Sequence, residues 1–233
     1  MTSATELKFL ASPSAGEVSA ILDRTDTARW LLVLGHGAGA GMRHRFMNDV
    51  AAVLGARGIA TFRYQFPYLE HKTHRPDPQP ILLATVRSAV EAARGAAGDL
   101  PLLAGGKSMG GRMTSLAASK EALNDVKGIV FFGFPLHPAG APATERAEHL
   151  QRVTVPMLFL QGTRDKLAEL SLLRPVIDLL GPAATLHVIE GADHGFDMLK
   201  RSGRTSADVL QELADTVARW AEGLDEPEDE TAA

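Results

Sequence analysis

PLLAGGKSMGGRMTSLAASK, residues 101–120, is the stretch whose reading decides the fold. It opens as a short apolar strand, PLLAG, and continues as a helix-forming run, MGGRMTSLAASK. Between them stands Gly106-Lys107-Ser108-Met109-Gly110, a G-x-S-x-G sequence. A strand that turns directly into a helix at such a sequence forms a nucleophile elbow. The turn is so sharp that a Cβ on either flank would strike the neighbouring strand or helix, hence the glycines. Ser108 projects from the turn, and the helix N-terminus beside it favours negative charge. The plainer alternative is a tight strand–helix turn with a solvated serine.

Working outward, apolar runs recur at WLLVLG (30–35), GIATFRY (58–64), KGIVFFG (127–133), PMLFLQG (156–162) and ATLHVIEG (184–191). Most are apolar at consecutive positions, as strands buried on both faces are. Helical patterns lie between them. Phe46, Val50, Val53 and Leu54 share one face; so do Leu82, Val86 and Val90, and Val209, Leu213, Val217 and Trp220. Thr205 and Asp208 are spaced as a capping box that opens the last helix. This alternation predicts an α/β fold: a mostly parallel central sheet with helices on both faces. ELKFLA (6–11) and VSAILD (18–23) precede the first crossover and predict an antiparallel hairpin on one edge. Two proline-rich segments, 65–80 and 134–156, each follow a strand and so lie at the carboxyl edge, where open α/β sheets bind ligands.

The elbow requires an acid and then a histidine, each after a later strand. Asp165 follows PMLFLQGTR, and His194 follows TLHVIEGAD. Taken singly, Asp165 could be a helix N-cap and His194 a loop histidine. In that order behind three strands, Ser108, Asp165 and His194 are the candidate catalytic residues. His187 lies inside a strand and is expected to point into a helix layer. An oxyanion hole needs two backbone donors. One candidate is the Met109 amide, directly after the serine. The other is Ala38, or failing it Gly39, in the small-residue loop GHGAGAG (35–41).

The 233 residues fit one large domain, placed at 5–221, able to bury roughly 70–75% of its unfolded surface. The absence of cysteine excludes disulfides, thiolate metal sites and a cysteine nucleophile. No apolar run approaches the ~18–20 residues of a membrane span, and the N-terminus lacks the pattern of a secretory signal. The expectation is a cytoplasmic protein with no membrane partner. There are 24 basic and 28 acidic residues. Six of the acids fall in residues 222–233, read as a solvated, disordered acidic tail. The remaining body is nearly balanced and gives no case for nucleic acid. Arg43, Arg45, Lys72 and Arg75 are placed near the mouth, a faint sign of an anionic acyl group.

Rival motifs fail on particular residues. A P-loop reading of Gly106-Lys107-Ser108 needs glycine where Pro101 stands. Gly35-x-Gly37-x-x-Ala40 loosely fits a dinucleotide fingerprint, but the acid expected about 20 residues on is missing. A 2′-phosphate reader such as Arg63 would be needed to keep that reading, and it would leave Ser108, Asp165 and His194 unexplained. His71 and His74 have an H-x-x-H spacing in a proline-rich loop and read as solvated, so no metal or other cofactor is expected. His36 and His137 read as structural, and Lys107 as salt-bridged or solvated.

GHGAGAGM, FRYQFPY, GGKSMGGRM, FPLHPAG, GTRD and GADHGF together resemble the motif set of small α/β-hydrolase-fold proteins in the dienelactone-hydrolase-like region of that superfamily. The resemblance spans about residues 30–200. It implies an α/β-hydrolase fold without a large cap domain. It also implies a serine hydrolase acting on a small-molecule carboxylic ester or thioester through Ser108, His194 and Asp165. True dienelactone hydrolases carry a cysteine nucleophile, so dienelactones are not the expected substrate. Some proteins resembling this branch are subunits of chromatin complexes, so the alternative is a non-catalytic interaction protein. Oligomeric state is not legible.

Overall fold

The computed structural model describes residues 2–224. The acidic tail inferred from the sequence lies, from residue 225 on, outside the described residues. Six parallel strands form the centre: β3 (Trp30–Gly35), β4 (Ile59–Tyr64), β5 (Leu102–Lys107), β6 (Val126–Phe132), β7 (Met157–Gly162) and β8 (Ala184–Ile189). A hairpin of β1 (Thr2–Ser12) and β2 (Gly16–Thr25) joins antiparallel at one edge, with Leu7 opposite Ala20 and Phe9 opposite Val18. The strand order is β1-β2-β4-β3-β5-β6-β7-β8.

The consecutive apolar runs serve two cores because strand side chains alternate faces. Leu31, Val33, Phe131 and Phe159 pack on one side; Leu32, Leu34, Phe132 and Leu160 pack on the other. The first side is covered by α3 (Gln79–Ala97), α4 (Met109–Lys120) and α5 (Leu170–Leu180). The second is covered by α1 (Arg45–Gly55) and α6 (Ser206–Gly223). The Thr205–Asp208 capping box is present, and it starts α6 so that Val209, Leu213 and Val217 are fully buried. Each such side chain contributes about 1.5–3 kcal/mol of burial. β8 departs from the buried pattern. It pairs only with β7 and is half-buried along most of its length, and His187 reaches α6, where Nε2 meets Glu212 at 2.8 Å.

Every parallel strand ends at the same edge of the sheet. The segment after β4 contains the short helix α2 (Pro67–Glu70), and the segment after β6 contains a 3-10 turn at Glu145–Arg152. Neither inserts a cap domain. Arg63 on β4 binds Asp23 of β2 at 2.7 Å and donates to the Met42 carbonyl at 3.0 Å and to Asn48. Buried, and with four of its five N–H donors used in clamping the sheet to the entrance of α1, it is poorly placed to read a phosphate.

Candidate active site

Ser108 stands between β5 and α4 at φ 51°, ψ −112°, a left-handed backbone that costs of order 1–3 kcal/mol in a non-glycine residue. Close packing holds it there. A Cβ on Gly106 or on Gly110 would come within 2.3 Å of the Gly35 carbonyl, so only glycine lets β5 and α4 press against β3. The Ser108 N–H donates to the Phe132 carbonyl at 3.2 Å, which ties the elbow to β6.

Asp165 is buried in the turn after β7, and His194 lies in the loop after β8. Gly162 brings those turns together, since a Cβ there would sit 2.3 Å from the Ala192 carbonyl. His194 Nδ1–H donates to Asp165 Oδ2 at 2.7 Å, and Ser108 Oγ–H donates to His194 Nε2 at 2.9 Å. Asp165 does not cap a helix; Glu169 occupies the N-cap position of α5. Asp165 Oδ1 accepts from the Leu167 amide at 2.7 Å, and Gln161 Nε2 donates to Asp165 Oδ2. Gln161 is itself oriented, accepting from the Phe134 amide at 3.0 Å.

Met109 opens α4, where the first-turn N–H groups have no partner within the helix. The loop after β3 faces it, and Ala38 and Gly39 both line the cavity beside Ser108. Two buried side chains hold this loop from behind. His36 Nδ1–H donates to the Gly37 carbonyl at 2.8 Å, while Nε2 accepts from the Phe66 amide at 3.0 Å. These bonds select one neutral tautomer, and burial pushes its pKa down to about 4. Tyr68 O–H donates to the Ala38 carbonyl at 2.7 Å. In a planar trans peptide the N–H points opposite the C=O. His36 therefore orients the Ala38 amide, and Tyr68 orients the Gly39 amide.

Lys107 makes no salt bridge among the described residues and is half-buried on the wall of the cavity beside Ser108. Its Nζ donates to the His194 carbonyl and lies over the rings of Phe46 and Phe196 at 5.6 and 4.9 Å from their centroids. Burial lowers its pKa to about 8 against the opposing pull of Asp165, Asp193 and Asp197. Phe196 also sits at positive φ, 65°, stacked on Phe46. The basic residues expected at the mouth are mostly elsewhere: Arg43 pairs with Glu6, and Arg45 reaches the rim paired with Asp49. His71 and His74 are exposed. His137 bonds Glu169 and the Pro138 carbonyl, joining the loops after β6 and β7.

Two cavities meet at Ser108. One, of about 780 Å³, is lined by His194, Lys107 and apolar side chains including Phe46, Val53 and Leu210. The other, of about 480 Å³, lies on the Met109 side. A wider hollow of about 860 Å³ runs along α6 beside Arg57 and Asp215 and contains none of the candidate residues. Among the described residues no group of acidic and histidine side chains is arranged to hold a metal ion, and no helix is long and apolar enough to cross a membrane.

A strained serine at a strand–helix turn, followed by an acid and a histidine at the carboxyl edge of a largely parallel sheet, is the arrangement of the α/β hydrolases. The chain belongs to the alpha/beta hydrolase domain family, whose pattern matches residues 28–222. Its fold is similar to that of a dienelactone hydrolase from Anabaena variabilis: TM-score 0.74, 19% identity, 95% of this chain and 98% of that one. It is similar to an α/β serine hydrolase without a lid from Xanthomonas campestris: TM-score 0.71, 19% identity, 94% and 96% coverage. It is also similar to Est1E from Butyrivibrio proteoclasticus in a structure with ferulic acid bound: TM-score 0.69, 17% identity, 88% and 96% coverage.

Proposed function

We propose that the protein is a serine hydrolase that cleaves a small-molecule carboxylic ester or thioester. Ser108 Oγ attacks the acyl carbonyl while His194 Nε2 takes its proton. Asp165 holds the imidazole in the required tautomer and stabilises the imidazolium. The amides of Met109 and Ala38 receive the oxyanion. The bond to the alcohol or thiol breaks, and the leaving atom takes the proton from His194. Water then attacks the acyl-enzyme, delivers a proton to His194, and the acid departs as Ser108 recovers its hydrogen.

The observation that carries this reading is the continuous path of hydrogen bonds from Asp165 through His194 to Ser108, at 2.7 and 2.9 Å. The ferulic acid held by Est1E, a carboxylic acid in a related fold, fits the same class of product. A fluorophosphonate probe tests it. The native protein should label covalently, and Ser108→Ala should lose both labelling and hydrolysis of a short aryl ester. A native protein that refuses the probe and turns over no ester would return the protein to the non-catalytic, interaction-protein reading.

A further inference from the structure

The 480 Å³ cavity shares Ser108 and Ala38 with the apolar one but is lined in addition by Met109, Arg112 and Arg146. Arg112 lies one helical turn after Ser108 on α4, so its side chain shares the serine's face of that helix. Arg146 comes from the 3-10 turn after β6, with Nη1 3.5 Å from the Pro135 carbonyl. Both residues are half-buried. Arg57, Arg87, Arg94 and Arg204 are likewise half-buried and Arg63 is buried, and each pairs with a carboxylate. Among the described residues Arg112 and Arg146 have no carboxylate within ion-pair reach. The one acid on the cavity wall, Asp77, accepts from the Tyr68 amide at 2.7 Å. Half-buried like charges placed together are costly unless an anion comes between them. The Arg112 pKa is accordingly lowered, by burial first and then by Arg146.

The two cavities have different chemical tasks. His194 must protonate the leaving oxygen, and it lines the apolar cavity and not the arginine one. The alcohol part therefore occupies the apolar side. The acyl chain extends past the Met109 amide toward the arginines. We propose that the arginine cavity binds an acyl group that ends in a carboxylate, so that the substrates are half-esters or half-thioesters of a dicarboxylic acid with an apolar alcohol or thiol. Guanidinium groups suit this because they bind carboxylates through paired, parallel N–H donors. The bond balance is that of ordinary hydrolysis. The acyl carbon exchanges its bond to the alcohol oxygen for one to Ser108 Oγ, then for one to water, and a dicarboxylate leaves.

This assignment rests on the serine-hydrolase reading, and two measurements separate them. The first compares mono-4-nitrophenyl glutarate with 4-nitrophenyl pentanoate, which has an acyl chain of equal length and no charge. The native enzyme should favour the glutarate in kcat/KM by about tenfold or more, the usual worth of one charged hydrogen-bonded contact. Arg112→Gln and Arg146→Gln should each erase most of that preference, and Arg146→Glu should reverse it. Arg43→Gln, outside the cavity and paired with Glu6, should leave the preference unchanged. The second measures glutarate binding to Ser108→Ala by calorimetry, which needs no turnover; adding Arg146→Gln should abolish it. Glutarate binding without ester turnover would sink the hydrolase reading and keep the anion site. Turnover of both esters at equal efficiency, or inorganic phosphate binding more tightly than glutarate, would overturn the dicarboxylate assignment.

Discussion

The molecule contains two serine–histidine hydrogen bonds of similar length and unlike surroundings. Ser108 meets His194 at 2.9 Å, and Ser115, two turns further along α4, meets His149 at 2.7 Å. The first serine stands at positive φ on the lip of two cavities. The second is buried inside a regular helix, where the Arg112 carbonyl, 3.1 Å away, competes with His149 for its single hydroxyl hydrogen. The far nitrogen of His194 faces a buried carboxylate. His149 bonds the Arg146 backbone and feels the charges of Arg112 and Arg152, so burial and those cations lower its pKa to about 4. An imidazole there resists the proton a general base must accept. A short Ser–His contact is thus not a catalytic signal by itself; the third group and the open space decide.

The sharpest way to break the contrast is to remove the third group. Asp165→Asn keeps the shape of the side chain but places an amide N–H against His194 Nδ1, which favours the wrong tautomer. Hydrolysis of a neutral aryl ester should fall by about 10⁴-fold, with the fold intact by circular dichroism. A loss of less than tenfold would mean that Asp165 does not distinguish the two pairs.

The parts of the site legible in the sequence are those carried by local order along the chain. The apolar strands, the elbow glycines and the succession Ser108, Asp165, His194 follow from short-range pattern. The α/β sheet and its edge hairpin follow from the same alternation. What cannot be read depends on contacts between distant loops. Lys107 reads as a surface cation because nothing local shows that Phe46 and Phe196 enclose it. Tyr68 sits in a proline-rich segment, and its bond to Ala38 spans 30 positions. The pattern of charge points to Arg43 and Arg45, which acids neutralise, whereas Arg112 and Arg146 come from a helix interior and a 3-10 turn.

A smaller effect sharpens the comparison from the cavity side. In the proposed mechanism the loop that His36 and Tyr68 hold supplies a backbone donor beside Ser108. Tyr68→Phe keeps the packed ring and deletes the bond to the Ala38 carbonyl. The peptide beyond Ala38 gains freedom while His36 still holds the one before it. The expected result is a fall in kcat of about threefold to tenfold with KM little changed, well below the 10²–10³-fold cost of deleting an oxyanion donor outright, because His36 still holds the Ala38 amide. An unchanged kcat would assign the holding of this loop to His36 alone.

The smallest effect on rate, and the one that isolates the second pair, is read from stability against pH. An ordinary histidine pKa is 6.5, and burial lowers those of His149 and His36 to about 4. Between these values the unfolded chain binds protons that the native protein refuses. Stability is therefore fully present above pH 6.5 and is lost as pH falls toward 4. His149→Gln can keep a hydrogen bond to Ser115 but does not titrate. Urea unfolding at about pH 7.5 and about pH 4.5 should show the native protein losing more stability than the variant, by about 1–3 kcal/mol. The acid loss that persists in the variant belongs in part to His36. At about pH 8 His149→Gln should hydrolyse ester within about twofold of the native rate, as expected for a change outside the site. Equal acid sensitivity in both proteins would show that His149 takes up its proton as readily in the folded state as in the unfolded one. A large loss of rate in the alkaline assay would instead tie the buried pair to the chemistry.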